Sequence, residues 1–542
     1  MPCARAHPPA LPRTPGPRGR EGAGCGKVPR ALAAVTSALV SDPGDDGATS
    51  RRGWIRVGVV TAVAVVSFAA PSLPRGVTNW DNVVKVQLAR SLLRGEGLVL
   101  RDLTPDDAAY VQLGKDGRRY SGYMPLAAVL HVLTIQIALL TGVEAEGVPA
   151  LFLLGLVAWA LVSWGRRAGV SLHAAVGGAV LACLGTSLWP MAALGYDVIV
   201  EALAFALLLR AGSGGEDDRR AWLLAGAAAG AAFATRLGAA LLAVPAVVLA
   251  ASAPPRGVRT VFRRGAALVA GGAPGLLLVL WYNFHRFGSP FTTMRTSALG
   301  SLEDLAAPWL SATHLQGMAG LLLSPGKGIL WYAPPMLLVL AASGALVRRH
   351  RAAALAFAAY AAAEVLALGR FRYWHGDWGW GPRYLAPLLV SAAPLAWLAG
   401  ERLATARVRV KAAALCALVA AVVLQAAPVV GKPIPYHFAL VLAPLEAEHR
   451  LVTHPVTRPP GPEDYGIHYF TARNSMIVSL ARGLARASVK EGFRWRLLRA
   501  LLVPLAAGAL VAGVWIVCER RARGRGPGED ERGAFAGGGR AR

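Results

Sequence analysis

Acidic residues are scarce, and charge of either sign is thin. The 542 residues hold 31 Asp and Glu against 57 Lys and Arg, and charged types together make up 16% of the chain. Soluble domains carry about 25% charged residues, so a water-facing surface over most of this chain is excluded. Cysteine is also rare. Cys3, Cys25, Cys183, Cys416 and Cys518 show no CxxC or Cys/His spacing, which leaves no zinc module and no disulfide framework. No soluble basic and aromatic module is present either. The net charge of +26 therefore does not imply a nucleic-acid partner, and none is expected.

What the chain does have is apolar sequence in long blocks, with a mean hydropathy of +0.44. Runs such as GVVTAVAVVSFAA, FLLGLVAWALVSW, GAPGLLLVLWYNF and AALCALVAAVVLQAA approach the roughly 20 apolar residues that cross a bilayer. The pattern predicts an all-α polytopic membrane protein of about twelve transmembrane helices. The expected spans are 54–73, 148–165, 172–190, 196–211, 221–235, 237–253, 264–282, 329–347, 352–369, 383–399, 410–430 and 499–518. Block 221–253 is divided at Thr235-Arg236-Leu237, because one helix of that length would measure about 50 Å against a roughly 30 Å hydrocarbon core.

Segment 124–142 is long enough to span but carries His131 and Gln136. Counting charge decides it. With 124–142 lying in the interface, the clusters Arg166/Arg167, Arg210/Arg219/Arg220, Arg256/Arg259/Arg263/Arg264, Arg348/Arg349/Arg351 and Arg402/Arg407/Arg409/Lys411 all fall on the cytosolic side, with both termini. The expected organisation is a basic disordered cytosolic tail (1–53), a transmembrane domain (54–430), an extracytoplasmic segment (431–498), a last transmembrane helix (499–518) and a basic cytosolic tail (519–542). The expected location is the inner (plasma) membrane. The large first extracytoplasmic loop then carries interfacial helices, and the outer face collects most of the Trp, Tyr, His and Asn.

Three outer clusters can carry chemistry. The first loop opens with Trp80-Asp81-Asn82, followed by an amphipathic stretch in which Val84, Leu88 and Leu92 recur at i, i+4 and i+8. Asp81 fits two roles, an N-cap or a general base toward a hydroxyl. Asp197 and Glu201 lie at membrane depth with Arg236 as a partner, forming either a structural pair or a substrate contact. The densest cluster runs from Arg370 to Tyr384 and includes Arg372, Tyr373, Trp374, His375, Asp377, Trp378, Trp380 and Arg383. Aromatic faces suit sugar rings or a prenyl chain, and guanidinium suits phosphate. Arg286, in NFHRFGSPFTT, and Lys327, in SPGKG, are further cationic candidates for a phosphate. Spacing indicates no metal set and no cofactor, and a divalent cation is the one addition left open.

In combination and order, these pieces resemble the GT-C class of membrane glycosyltransferases, in particular the bacterial relatives of dolichyl-phosphate-mannose protein mannosyltransferases. The resemblance covers about residues 54–430 and includes NFHRFGSPFTT, LLLSPGKGILWYAPP and WHGDWGWGPRYLAPLL. It implies a hexosyltransferase of the cell envelope that uses a polyprenyl-phosphate sugar donor and an extracytoplasmic glycan, lipid or protein acceptor, with Asp81 as general base. The family often shows an Asp-Glu pair where this chain has Asp81-Asn82, so the second acid is lost, with Asp106 and Asp107 as possible substitutes. Two other readings remain open. A transporter or lipid flippase would be expected to show paired halves, and no repeat is found, with Glu201 and Glu364 the main deep ionisable residues. A non-catalytic envelope-assembly scaffold would fit the missing acid.

Overall fold

The computed structural model describes residues 51–74, 76–77, 80–101, 111–213, 218–293, 312–371, 374–376, 379–431, 467–472 and 475–478. The expected helix 499–518, both tails apart from 51–53, Asp106, Asp107, Arg372, Tyr373, Asp377 and Trp378 lie outside these residues.

Helix α1 (Arg51–Ala69) leads into the first loop, which contains α2 (Trp80–Leu93), a hairpin of β1 (Val111–Leu113) and β2 (Arg119–Ser121), and α3 (Pro125–Thr141). The strands are antiparallel, with Gln112 opposite Tyr120. Pro125 opens α3 in a position where its missing N–H costs nothing, and Gly142, at φ 70°, closes it by donating to the Ala138 carbonyl. Then come α4 (Val148–Arg167), α5 (Leu172–Leu184), the short α6 (Leu188–Ala193), α7 (Val198–Gly212), α8 (Arg219–Thr235), α9 (Ala243–Ser252) and α10 (Val258–Phe287). The second half holds α11 (Ala312–Leu323), α12 (Ile329–Tyr332), α13 (Pro335–Arg349), α14 (Arg351–Gly369), α15 (Ala392–Thr405) and α16 (Val408–Gly431), with a 3-10 stretch, Arg383–Ser391, leading into α15.

Among the described residues, six segments are long and apolar enough to cross a membrane: Gly53–Ser72, Val148–Arg167, Val258–Phe287, Arg351–Gly369, Arg383–Leu403 and Val408–Ala426. The other expected spans within the described residues are shorter or broken. Span 172–190 divides into α5 and α6 around Gly185. Span 329–347 divides into α12 and α13 at Ala333-Pro334-Pro335, where two prolines lack the N–H a helix needs. Helix α8 stops at Thr235, Arg236 is extended at φ −153°, and Leu237–Leu242 continues as a 3-10 turn before α9. Expected span 264–282 is a 30-residue helix that runs past both apolar limits. It keeps His285 and Arg286 in its last turn, where cations suit the helix dipole.

Helix α7 is buried along nearly its whole length and α4 along most of its own, and Trp164, Phe205, Phe357, Tyr360 and Trp397 meet edge-on around them. Helices α8 and α10 approach more closely than ordinary side chains permit. A Cβ added to Gly275 would lie 2.1 Å from the Gly230 carbonyl oxygen, and one added to Gly226 would lie 2.3 Å from that of Leu268. Small residues allow such backbone contact between helices where no hydrophobic force holds them together in lipid. In the first loop, the apolar stripe of α2 faces protein: Val84 and Leu88 are buried with Leu100 and Ala128, and Leu92 and Tyr123 pack beside them. Helix α2 is thereby fixed against α3, which sets the direction of Asp81 in its first turn.

Candidate functional site

Asp81, Tyr123 and Arg383 come from three distant parts of the chain and meet directly. The Tyr123 hydroxyl donates to Asp81 Oδ1 at 2.7 Å, and Arg383 Nη1 donates to Asp81 Oδ2 at 2.8 Å. The carboxylate side chain is 19% exposed and the guanidinium 12%. Burial alone would raise the Asp81 carboxyl, but the charges of Arg383 and Lys85 and the Tyr123 bond outweigh it and hold it down at about 2. Asp81 therefore faces a cation and a phenol.

Arg383 is seated by glycine and aromatic rings. Its guanidinium lies 5.2 Å from the ring centres of both Tyr196 and Tyr384, within cation–π range. Its stem passes over Gly376 and Gly379. A Cβ at either position would fall 2.8 Å from Cγ or 3.0 Å from Cδ, and Gly376 has a left-handed φ of 64°. These two glycines of the WHGDWGWGPR stretch thus leave the room that Arg383 fills.

A second set of charges adjoins this pair. Lys85, one helical turn after Asp81, bonds Asp197 Oδ2 at 3.1 Å and lies 4.7 Å over the Tyr123 ring. Arg236 approaches Asp197 Oδ1 at 3.6 Å and Glu201 Oε1 at 3.0 Å, and stands 5.3 Å from the ring of Tyr384. The extended backbone at Arg236, where α8 ends, aims its side chain at α7. Asn82 Nδ2 donates to Glu146 Oε2 at 2.9 Å and to the Leu194 carbonyl at 3.1 Å. A carboxylate from the loop before α4 therefore stands beside Asn82. Removing one partner from buried pairs of this kind typically costs 3–5 kcal/mol, and less where water reaches them.

The remaining candidates occupy other settings. Arg286 is fully buried: its guanidinium donates to the Ser121 carbonyl at 2.5 Å and to Asn283 Oδ1 at 2.7 Å, and it stacks 3.7 Å from the Tyr282 ring centre. It ties the end of α10 to β2. Lys327 Nζ donates to the Gly379 carbonyl at 2.6 Å and lies over the Tyr469 ring. The backbone amides of the SPGKG turn are engaged within the protein. Gly326 N–H donates to Tyr469 O, and the N–H groups of Lys327 and Gly328 donate to Ser324 O. Trp374 packs over Gly320 and against Tyr469 and Phe470, while Trp380 donates to Gln425 Oε1 at 3.2 Å and meets Tyr332 edge-on. His375 is buried beside Trp374 and Tyr469. Burial first, then the charges of Lys327 and Arg383, push its imidazole well below the usual range and keep it neutral. His375 thus lies between the Lys327 turn and the Arg383 seat. Among the described residues, no group of three or more His, Cys, Asp and Glu is placed to hold a metal ion.

The sequence singled out neither Glu146 nor Tyr123 as a site residue, and it named Tyr384 only as the end of the aromatic cluster. The i, i+4 spacing of Asp81 and Lys85 was a usable signal that both side chains share a helix face. Glu146 gave none, because it meets Asn82 across 64 residues of sequence.

No protein-family model matches this chain, and no curated protein matches it. In structure it is similar to ArnT from Cupriavidus metallidurans bound to undecaprenyl phosphate, at 16% identity over 86% of this chain and 80% of that one, with a TM-score of 0.47. It is also similar to ArnT from the same organism in the apo state, at 16% identity over 80% and 77% of the two chains, with a TM-score of 0.44.

Proposed function

We propose that this polytopic membrane protein is a glycosyltransferase of the GT-C type, moving a sugar from a polyprenyl-phosphate donor to an extracytoplasmic acceptor. The observation that carries this reading is the direct meeting of Asp81 with Arg383, 302 residues apart, between Tyr123, Tyr196 and Tyr384. One site then holds a carboxylate for the acceptor, a cation for a phosphate and flat rings for a sugar.

In the reaction, the acceptor oxygen attacks the anomeric carbon as its proton passes to Asp81. The bond from that carbon to the phosphate oxygen breaks, and the polyprenyl phosphate leaves with the electron pair. A single displacement inverts the anomeric centre. Arg383 supports the charge that grows on the departing phosphate, an interaction stronger in the transition state than in the ground state. Lys85 stays with Asp197 and fixes the face of α2 that carries Asp81. Arg372, Tyr373, Asp377 and Trp378 belong to the same proposed site by sequence, and Lys327 acts from the neighbouring turn.

The test is turnover of purified protein in nanodiscs, given a panel of polyprenyl-phosphate sugars and envelope glycan or lipid acceptors. General bases contribute about 10²–10⁴-fold, so Asp81→Asn is expected to lose at least a hundredfold in kcat. Unchanged turnover would remove Asp81 from the mechanism. Flux of an intact sugar lipid into proteoliposomes without any covalent product would replace the reading with transport.

A further inference from the structure

We infer that Arg383 is an exchangeable latch: it closes on Asp81 in the donor-free protein and transfers to the phosphate of an arriving prenyl-phosphate lipid, so that donor binding itself releases the base. This inference rests on the transferase reading and concerns the order of events at the same site.

Asp81 is closed at both oxygens, one by a neutral phenol and one by a cation. A carboxylate held this way is a poor proton acceptor, and the cation is the larger reason. Of the phenol and the guanidinium, a phosphate competes for the guanidinium. Guanidinium binds phosphate through two parallel hydrogen bonds, whereas its bond to Asp81 uses Nη1 alone. The seat of Arg383 also permits the move. Its stem lies over Gly376 and Gly379, which carry no side chain, and its guanidinium is flanked by two tyrosine rings at equal distance. A planar cation that slides along such faces keeps its cation–π attraction while exchanging hydrogen-bond partners. Lys85 cannot serve in its place, because it is buried against Asp197 and Asn82.

Competition for one guanidinium has a reciprocal consequence. If Asp81 holds Arg383 away from phosphate, removing the carboxylate must tighten phosphate binding. The experiment measures binding of decaprenyl monophosphate, with decaprenol as the uncharged control, to the full-length protein in nanodiscs. The proteins are wild type, Asp81→Asn, Arg383→Met and the double variant. Asp81→Asn is expected to bind the phosphate about tenfold more tightly, equivalent to about 1.4 kcal/mol, with decaprenol binding unchanged. In the Arg383→Met background the same substitution is expected to bring no gain.

Equal or weaker binding by Asp81→Asn overturns the latch. So does a gain that persists without Arg383, which would mark simple repulsion between Asp81 and phosphate. Infrared difference spectra of wild-type protein carrying 13C-carboxyl aspartate provide a readout that needs no folded variant. Lipid phosphate should shift a carboxylate band that decaprenol leaves in place, and an unshifted band overturns the latch. Wild-type protein that does not bind the phosphate above decaprenol would instead overturn the transferase reading beneath it.

Discussion

Replacing Arg383 with Met removes the cation from Asp81 and keeps a side chain of similar length. The Asp81 carboxyl titrates at about 2 in the folded protein, against 3.8 without its surroundings. At 1.36 kcal/mol per pH unit, that difference corresponds to roughly 2 kcal/mol of stability at neutral pH. The sign follows from the direction. A depressed carboxyl stabilises the fold fully above 3.8, and the contribution drains away as pH falls toward 2. Without Arg383, burial still raises the carboxyl, and Lys85 and Tyr123 oppose it. Thermal unfolding of purified protein in one detergent is expected to show Arg383→Met melting a few degrees below wild type at pH 7. The gap should narrow at pH 3. In a double-mutant cycle at pH 7, Asp81→Asn should add little once Arg383 is gone, because the two positions report one interaction. Strict additivity of the two single losses, or a gap of the same size at pH 7 and pH 3, would refute the pair as a source of stability.

Two further outcomes follow from the packing and the proposed topology. Gly275→Ala would force a methyl group to within 2.1 Å of the Gly230 carbonyl oxygen, so α8 and α10 must part by about an ångström. Overpacking of this kind costs about 1–3 kcal/mol, and a melting temperature equal to wild type would show that the two helices do not cross there. Cysteines placed at the exposed positions Arg118 and Arg348, in a background lacking the five native cysteines, test sidedness. An impermeant maleimide added to intact cells should label position 118 at once and position 348 only after the membrane is opened. The reverse pattern would invert the topology and move the Asp81 site to the cytosolic face.

Much of the architecture was legible because hydropathy is a local property. A run of apolar residues such as 148–165 or 352–369 declares a helix wherever it sits, since lipid leaves its backbone no other way to satisfy its hydrogen bonds. Interruptions were partly legible too. Thr235-Arg236-Leu237 marked a break by the length of its block, whereas the division at Ala333-Pro334-Pro335 was hidden inside an apolar run. Composition could not rank spans by length, and this is why α5 and α13 came out shorter than a full crossing.

Hydropathy and charge alone identified a helical membrane protein, placed Asp197 and Glu201 at a depth where they need a partner such as Arg236, and marked Asp81 and Arg383 as candidates for chemistry. Tertiary structure decided who those partners are. Arg286 and Arg383 look alike in sequence, each basic and close to aromatic residues. One is bound by Ser121 and Asn283, while the other reaches a carboxylate 302 residues away. The Asp81–Arg383 pair depends on how α2 packs on α3 and on where Gly376 and Gly379 leave space. Such pairing energies arise only when distant segments are brought together away from bulk water, so no local window of sequence contains them.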